Sequence, residues 1–226
     1  MGVHDLFIND SLKDFALVTR SSDPTPGGGS VSAYVGVLGS ALTSMVSGLT
    51  VGKKGYEDLP EGVKTKMEAN SEELEGLFDE LAVIVDEDSS AFDDVMKAFK
   101  MPKETEEDKK KRSAAIQEGY KVALEVPLTC AEKCLEILRL QDVFAQHGNV
   151  NAITDVGVGL LLAYSGLEGA LLNVTINLGS LKDEGYKKEI SQKVDSILEE
   201  GNKLKEENLK VVYERLNAYK TKWRFY

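Results

Sequence analysis

Apolar side chains recur at steps of three and four along most of the chain, a period that belongs to helices rather than strands. The opening segment carries Leu6, Phe7, Leu12, Phe15 and Val18 at such spacing, which predicts a short amphipathic helix. It stops before Asp23-Pro24-Thr25-Pro26-Gly27-Gly28-Gly29-Ser30, where two prolines and three glycines predict irregular backbone. Val31 to Leu49 then reads as a helix of small residues, with Ala33, Gly36, Ser40, Thr43 and Ser47 at i+3 and i+4. Such a smooth stripe lets another backbone approach closely, which places this helix at the centre of a bundle.

After a loop around Gly52 to Pro60, the spacing predicts a long helix from Glu61 to Lys100. Its stripe is Met67, Leu74, Leu77, Leu81, Ile84, Asp88, Phe92 and Val95, with Asp88 the one polar member. Met101-Pro102-Lys103 breaks it, and a charged stretch from Glu104 starts another helix through Ile116, Tyr120, Ala123 and Leu124. Pro127 is expected to kink that helix rather than end it, because helical spacing resumes through Ala131, Cys134 and Leu138. Gln146 to Asn151 reads as a turn, Ala152 to Leu181 as a helix, and Ile190 to Leu216 as a last amphipathic helix. Long helices with short connections predict an all-α, up-and-down bundle forming one domain over residues 1–226. So much small and apolar surface also predicts a homodimer.

Composition narrows the partners. Thirty-eight acidic residues against 27 basic ones give a formal net charge of −11, which repels nucleic acid and acidic membrane surfaces at long range. Met1 to Arg20 holds no uninterrupted apolar run of the kind a signal peptide needs. The most apolar stretch, Val156 to Leu178, is broken by Glu168, Asn173, Asn177 and five glycines or serines, and reads as a buried helix rather than a membrane span. Two cysteines, Cys130 and Cys134, and two histidines supply neither a disulfide framework nor a zinc site. Reduced core cysteines in a cytoplasmic, metal-free protein are the expectation.

Several residues could carry chemistry. Gly27, Gly28, Gly29 and Ser30 precede a helix, so bare amides and the positive end of the dipole could receive an anion or a ligand carbonyl; a plain linker with Ser30 as N-cap is the alternative. Asp88 on an apolar stripe would be a desolvated carboxylate fit for proton transfer or for stabilising a cation, unless that edge faces a solvated groove. Asn151 and Asp155 share a face at a helix start, where capping is the competing role. Asn173 and Asn177 share a face of an apolar helix and could read the edge of a heterocycle or staple two helices together. Asp155 and Asn173 are 18 residues apart, about 27 Å along a helix. One small ligand cannot touch both from a single chain.

Taken in order, the Pro-Gly-Gly-Gly-Ser block heading a small-residue helix, Asp88-Ser-Ser-Ala-Phe92, Leu124 to Pro127, Gly148-Asn149, Asn151 to Asp155 and Asn173-Val-Thr-Ile-Asn177 resemble the cyclodeaminase/cyclohydrolase family. That family includes the C-terminal half of formiminotransferase-cyclodeaminase and stand-alone bacterial methenyltetrahydrofolate cyclohydrolases. The resemblance implies a helical, dimer-forming enzyme acting on the one-carbon group between N5 and N10 of tetrahydrofolate, with a folate derivative as substrate and no metal. It implies Asp88 or Asp155 in proton transfer and cation stabilisation, the glycine block lining the site, and Asn151, Asn173 and Asn177 orienting substrate. Lys53, Lys54, Lys103 and the run Lys109 to Arg112 become candidates for the folate glutamate tail. A formimino substrate would arrive from a separate formiminotransferase. A folate binder without turnover, or a helical scaffold, is the alternative.

Overall fold

Small residues decide which helices meet at the centre. The computed structural model describes residues 6–217. After a 3-10 turn at Phe7–Asn9 come α1 (Leu12–Thr19), α2 (Gly28–Gly48), α3 (Glu61–Phe99), α4 (Glu106–Leu140) and α5 (Asp142–His147). A second 3-10 turn, Val150–Ala152, leads to α6 (Ile153–Leu178) and α7 (Glu184–Asn217). Helix α2 lies between α3, α4 and α6. Its contact with α6 is the tightest: a Cβ on Gly39 would stand 2.9 Å from the Ala163 nitrogen and 3.1 Å from the Gly159 carbonyl. The two backbones therefore touch with no side chain between them. Ala33, Gly36, Ser40, Thr43 and Ser47 are all buried, as their spacing predicts, and Ser40 donates to the Leu74 carbonyl at 2.7 Å.

Helix α2 begins at Gly28 rather than Val31, so two of the glycines expected to forbid regular structure form its first turn. Gly27 is the N-cap, and Ser30 lies inside the helix instead of capping it. Glycine costs a helix roughly 1 kcal/mol relative to alanine. An external carboxylate offsets that cost here: Asp88 of α3 accepts the Ser30 amide at 2.9 Å, at the end of the helix where negative charge is favoured.

Helix α4 opens with a capping box, Thr105 with Asp108, and passes through Pro127 without ending. A proline cannot donate to the carbonyl four residues back. That carbonyl, on Ala123, accepts instead from Asn177 Nδ2 of α6 at 2.6 Å. The stapling role, one of the two alternatives for the α6 asparagines, is thus present at Asn177, and it fills a vacancy made by Pro127. Gln146 and His147, read as part of a turn, complete the short helix α5. Arg215 of α7 caps it by donating to the carbonyls of Ala145 and Gly148, each at 2.5 Å.

Helix α6 is not buried all round. One side packs on α2, α4 and α7, while Val158, Leu161, Leu172 and Ile176 form an open stripe, with Leu172 68% and Ile176 72% exposed. Leu38, Met45 and Leu49 are likewise open on α2. Both helices are long and apolar enough to cross a membrane by length and composition alone, yet each is also built into the packed core. Cys130 and Cys134 are free and buried.

Candidate active site

The start of α2, the middle of α3 and the end of α6 enclose a cavity of about 360 Å³, floored by Gly27 to Gly29. That is within the size range of small-molecule sites. Asp88, Asn173 and Asn177 all line it. The glycines make their convergence possible: a Cβ on Gly29 would fall inside the Asp88 carboxylate, and one on Gly28 would press to 3.1 Å from Asn173 Nδ2. The block is therefore a contact surface for two polar side chains, and no anion from outside is needed at the Ser30 amide.

Asp88 is half-buried, and Oδ2 takes both hydrogen bonds from Ser30, the amide at 2.9 Å and Oγ at 3.1 Å. Ser30 Oγ lies 3.1 Å from Ser89 Oγ, extending the chain into the core. Burial pushes the Asp88 carboxyl above the ordinary carboxylate range, and the two Ser30 bonds pull it part of the way back. A carboxylate so held can trade a proton nearer neutrality than a solvated one, and its anion is a poorly screened partner for a cation.

Each amide has one arm committed. Asn173 Nδ2 donates to the Gly169 carbonyl at 2.9 Å and Asn177 Nδ2 to that of Ala123. What remains to each is its acceptor oxygen and one N–H. Asp88 is the one carboxylate among the described lining residues, and Phe92, Met96 and Ile176 provide apolar wall. Such a cavity suits a flat ligand that carries N–H donors and positive charge.

The remaining candidates do not line this cavity. Asn151 is exposed, its amide taken by Asn149 Oδ1 at 3.0 Å. Asp155 is half-buried in the first turn of α6, at the opposite end from Asn173. Lys53 and Lys103 are exposed in the connections either side of α3. Most of the basic run is a solvated face: Lys109 pairs with Glu106 and Lys111 with Glu107. Sequence reasoning missed Ser89 as the second hydroxyl of the Asp88 chain, and Tyr120 and Ile176 as lining residues. The Asn177 bond was detectable, since an interior proline always leaves the carbonyl at i−4 without its donor.

A second cavity of about 340 Å³ between α4 and α7 is rimmed by charges that satisfy one another, Arg139 with Glu200 at 2.7 Å and Lys193 with Glu132 at 2.5 Å.

A family profile described as formiminotransferase-cyclodeaminase matches residues 11–196. A methenyltetrahydrofolate cyclohydrolase of Methylorubrum extorquens is 40% identical over 209 residues, covering 92% of this chain and 99% of the relative. A formimidoyltransferase-cyclodeaminase of Gallus gallus is 37% identical over 85% of this chain, which spans 35% of that longer protein. The crystal structure of formiminotetrahydrofolate cyclodeaminase from Thermotoga maritima superposes with a TM-score of 0.76 at 30% identity, covering 94% of this chain and 98% of the other.

Proposed function

The chain belongs to the formiminotransferase-cyclodeaminase family, and from that premise we propose that it is a folate one-carbon enzyme, hydrolysing the methenyl bridge of 5,10-methenyltetrahydrofolate to the 10-formyl compound. The observation that carries this reading is the Asp88 carboxylate, half-buried in a cavity that otherwise presents amides and apolar wall. The substrate is a flat amidinium cation, and the Asp88 anion beside it lowers the cost of confining that charge. Water adds to the bridging carbon and gives up one proton; the added hydroxyl then loses its second proton to solvent as the formyl C=O forms, the bond from carbon to N5 breaks, and N5 takes up a proton to become a neutral N–H. Asp88 is placed to take the proton from water and return it to the departing nitrogen. The acceptor oxygens of Asn173 and Asn177 orient ring N–H groups, and Gly27, Gly28, Gly29 and Ser30 hold Asp88 in register.

The cyclohydrolase relative, at 40% identity against 30% for the solved cyclodeaminase, favours hydrolysis. The solved cyclodeaminase favours a second reading: attack of N10 on a formimino carbon carried by N5, with loss of ammonia, a lyase reaction whose substrate a formiminotransferase would supply. Both use the same carboxylate and the same proton transfer. Mixing the protein with methenyltetrahydrofolate and following loss of its absorbance tests the first; formiminotetrahydrofolate with ammonia detection tests the second. Uncatalysed rates in both, with folate still bound, would leave a binding protein; no binding at all would leave a helical scaffold. With one carboxylate among the described lining residues, the cavity supports a reaction without a metal, so a chelator should leave the rate as it was.

The open stripes of α2 and α6 support a homodimer, since exposed apolar faces of this kind mark protein contacts. Asp155 in the first turn of α6 and Asn151 in the turn before it lie so far from Asn173, about 27 Å for Asp155, that any part they take in this chemistry is played in a second copy's cavity. Two free buried cysteines fit a cytoplasmic location.

A further inference from the structure

The cavity is elongated and its ends differ. Asp88 and Phe99 both border it and lie eleven residues apart on α3, roughly 16 Å along the axis. The Asp88 end is polar, with the glycine backbone and Asn173 beside it. Phe92, Met96 and Ile176 make the middle apolar. At the far end Phe99 meets Tyr120 edge-on, ring centroids 6.2 Å apart, and Ser180 borders the opposite side.

Cations gather just beyond that end. The Arg112 guanidinium lies 5.5 Å from the Phe99 ring centroid, and its Nε and Nη2 donate to the Phe99 carbonyl at 3.2 and 3.1 Å. Two of its five donors are thereby used. Lys182 is held against the same stretch of α4, with Nζ donating to Ser113 Oγ at 3.3 Å and its backbone amide to Gln117 Oε1 at 2.8 Å. Gln117 in turn donates to the carbonyl of Ser180 at 3.0 Å, tying this corner to the cavity wall. Of the neighbouring lysines, Lys97, Lys109 and Lys111 pair with Asp94, Glu106 and Glu107. The neighbouring acids Asp108 and Asp183 accept backbone amides at the starts of α4 and α7. Among the described residues neither Arg112 nor Lys182 forms an ion pair. In a chain of net charge −11, two cations without carboxylate partners at the mouth of a cavity are a place for an anion from outside.

We propose that the ligand lies in this slot in one orientation, its reacting heterocycle at Asp88 and a carboxylate-bearing tail leaving past Phe99 to be met by Arg112 and Lys182. The proposal rests on the folate reading, in which a bicyclic ring, a benzoyl group and glutamyl carboxylates follow one another as the polar, apolar and cationic zones do. It assigns the tail to Arg112 and Lys182 instead of Lys53 or Lys103.

The test compares methenyltetrahydrofolate bearing one or several γ-linked glutamates with methenyltetrahydropteroate, which has none. In the wild-type protein, removing the glutamate should raise KM on the order of tenfold to a hundredfold, the range expected for charged hydrogen bonds, and added salt should narrow the gap. In R112E/K182E, and more mildly in R112Q/K182Q, glutamylated and tail-less substrates should share one KM. A wild-type preference for the glutamylated substrates that survives in both double variants overturns the assignment. Wild-type protein that neither binds nor turns over any of the three substrates removes the folate reading, and this proposal with it.

Discussion

The two ends of α6 look alike as sequence and differ as structure. Asn173 and Asn177 at one end, Asn151 and Asp155 at the other, are polar pairs spaced four apart within or beside an apolar helix. The first pair faces the glycine turn and Asp88 and lines the cavity. The second sits at an open helix start, with Asn149 capping the turn and Asp155 in the position where any acid gains from the dipole. Polar spacing therefore says that a pair shares a face, and the opposing surface decides whether that face is a site. At Asn173 the opposing surface is glycine backbone.

The largest expected effect separates the two aspartates. Asp88→Asn should lower kcat about 10²- to 10⁴-fold, the usual range for a general acid/base, while Asp155→Asn should lose less than tenfold. An equal loss in both would erase the distinction and place Asp155 in a partner's cavity. The Asn variant still accepts from Ser30 and removes a buried anion, so its melting temperature should be no lower than that of the wild type.

Next comes a pair of glycines. Gly29→Ala drives a methyl into the Asp88 carboxylate and should cost on the order of a hundredfold in kcat through displacement of that group. Gly148→Ala, whose Cβ would stand 2.5 Å from the Phe144 carbonyl at the other end, should lower the melting temperature and spare the kcat of the folded fraction. A kcat loss at Gly148 matching that at Gly29 would show that both ends serve one site.

The pH profile sharpens the contrast further. Burial raises the Asp88 carboxyl, so activity that needs its anion should fall on acidification at a pH above the ordinary carboxylate value of about 4. Asp88→Asn should abolish that limb and Asp155→Asn should leave it. For stability the sign is opposite. A raised acid stabilises the fold fully below its unfolded pKa, and that contribution is lost as pH rises through the folded one. Thermal melts of wild type and Asp88→Asn should thus diverge with rising pH across that window, with the variant gaining.

The smallest effect tests the α6 staple. Asn177→Ala orphans the Ala123 carbonyl and should cost about 1–3 kcal/mol. In a Pro127→Ala background, where the helix supplies its own donor, the same change should cost less, and a double-mutant cycle measures the difference.

The helices were legible because their apolar stripes repeat over many turns; α3 and α4 start within two residues of their expected positions, while α7 starts at Glu184, six residues before the expected Ile190. The start of α2 was misread by three residues because glycine propensity is local, while the carboxylate that stabilises this turn comes from Asp88, 58 positions away. Asp88 itself stood out as the polar member of an apolar stripe. Ser89, Tyr120 and Ile176 did not, since a serine or an aromatic on a helix carries no sign of what it will face. Lys53 and Lys103 followed from a charge requirement alone, and charge without position fits any exposed lysine.

Where α2 crosses α6, Gly39 and Ala163 leave no deformable layer between two peptide chains. Floor and side wall of the slot, Gly28 on one helix and Asn173 on the other, are consequently parts of one stiff frame. Loading it falls to rotamer changes of Phe92, Met96 and Phe99 at the rim, which exchange on the nanosecond scale of exposed side chains. Capture of substrate should therefore be a single fast kinetic phase, with no slower rearrangement of helices following it.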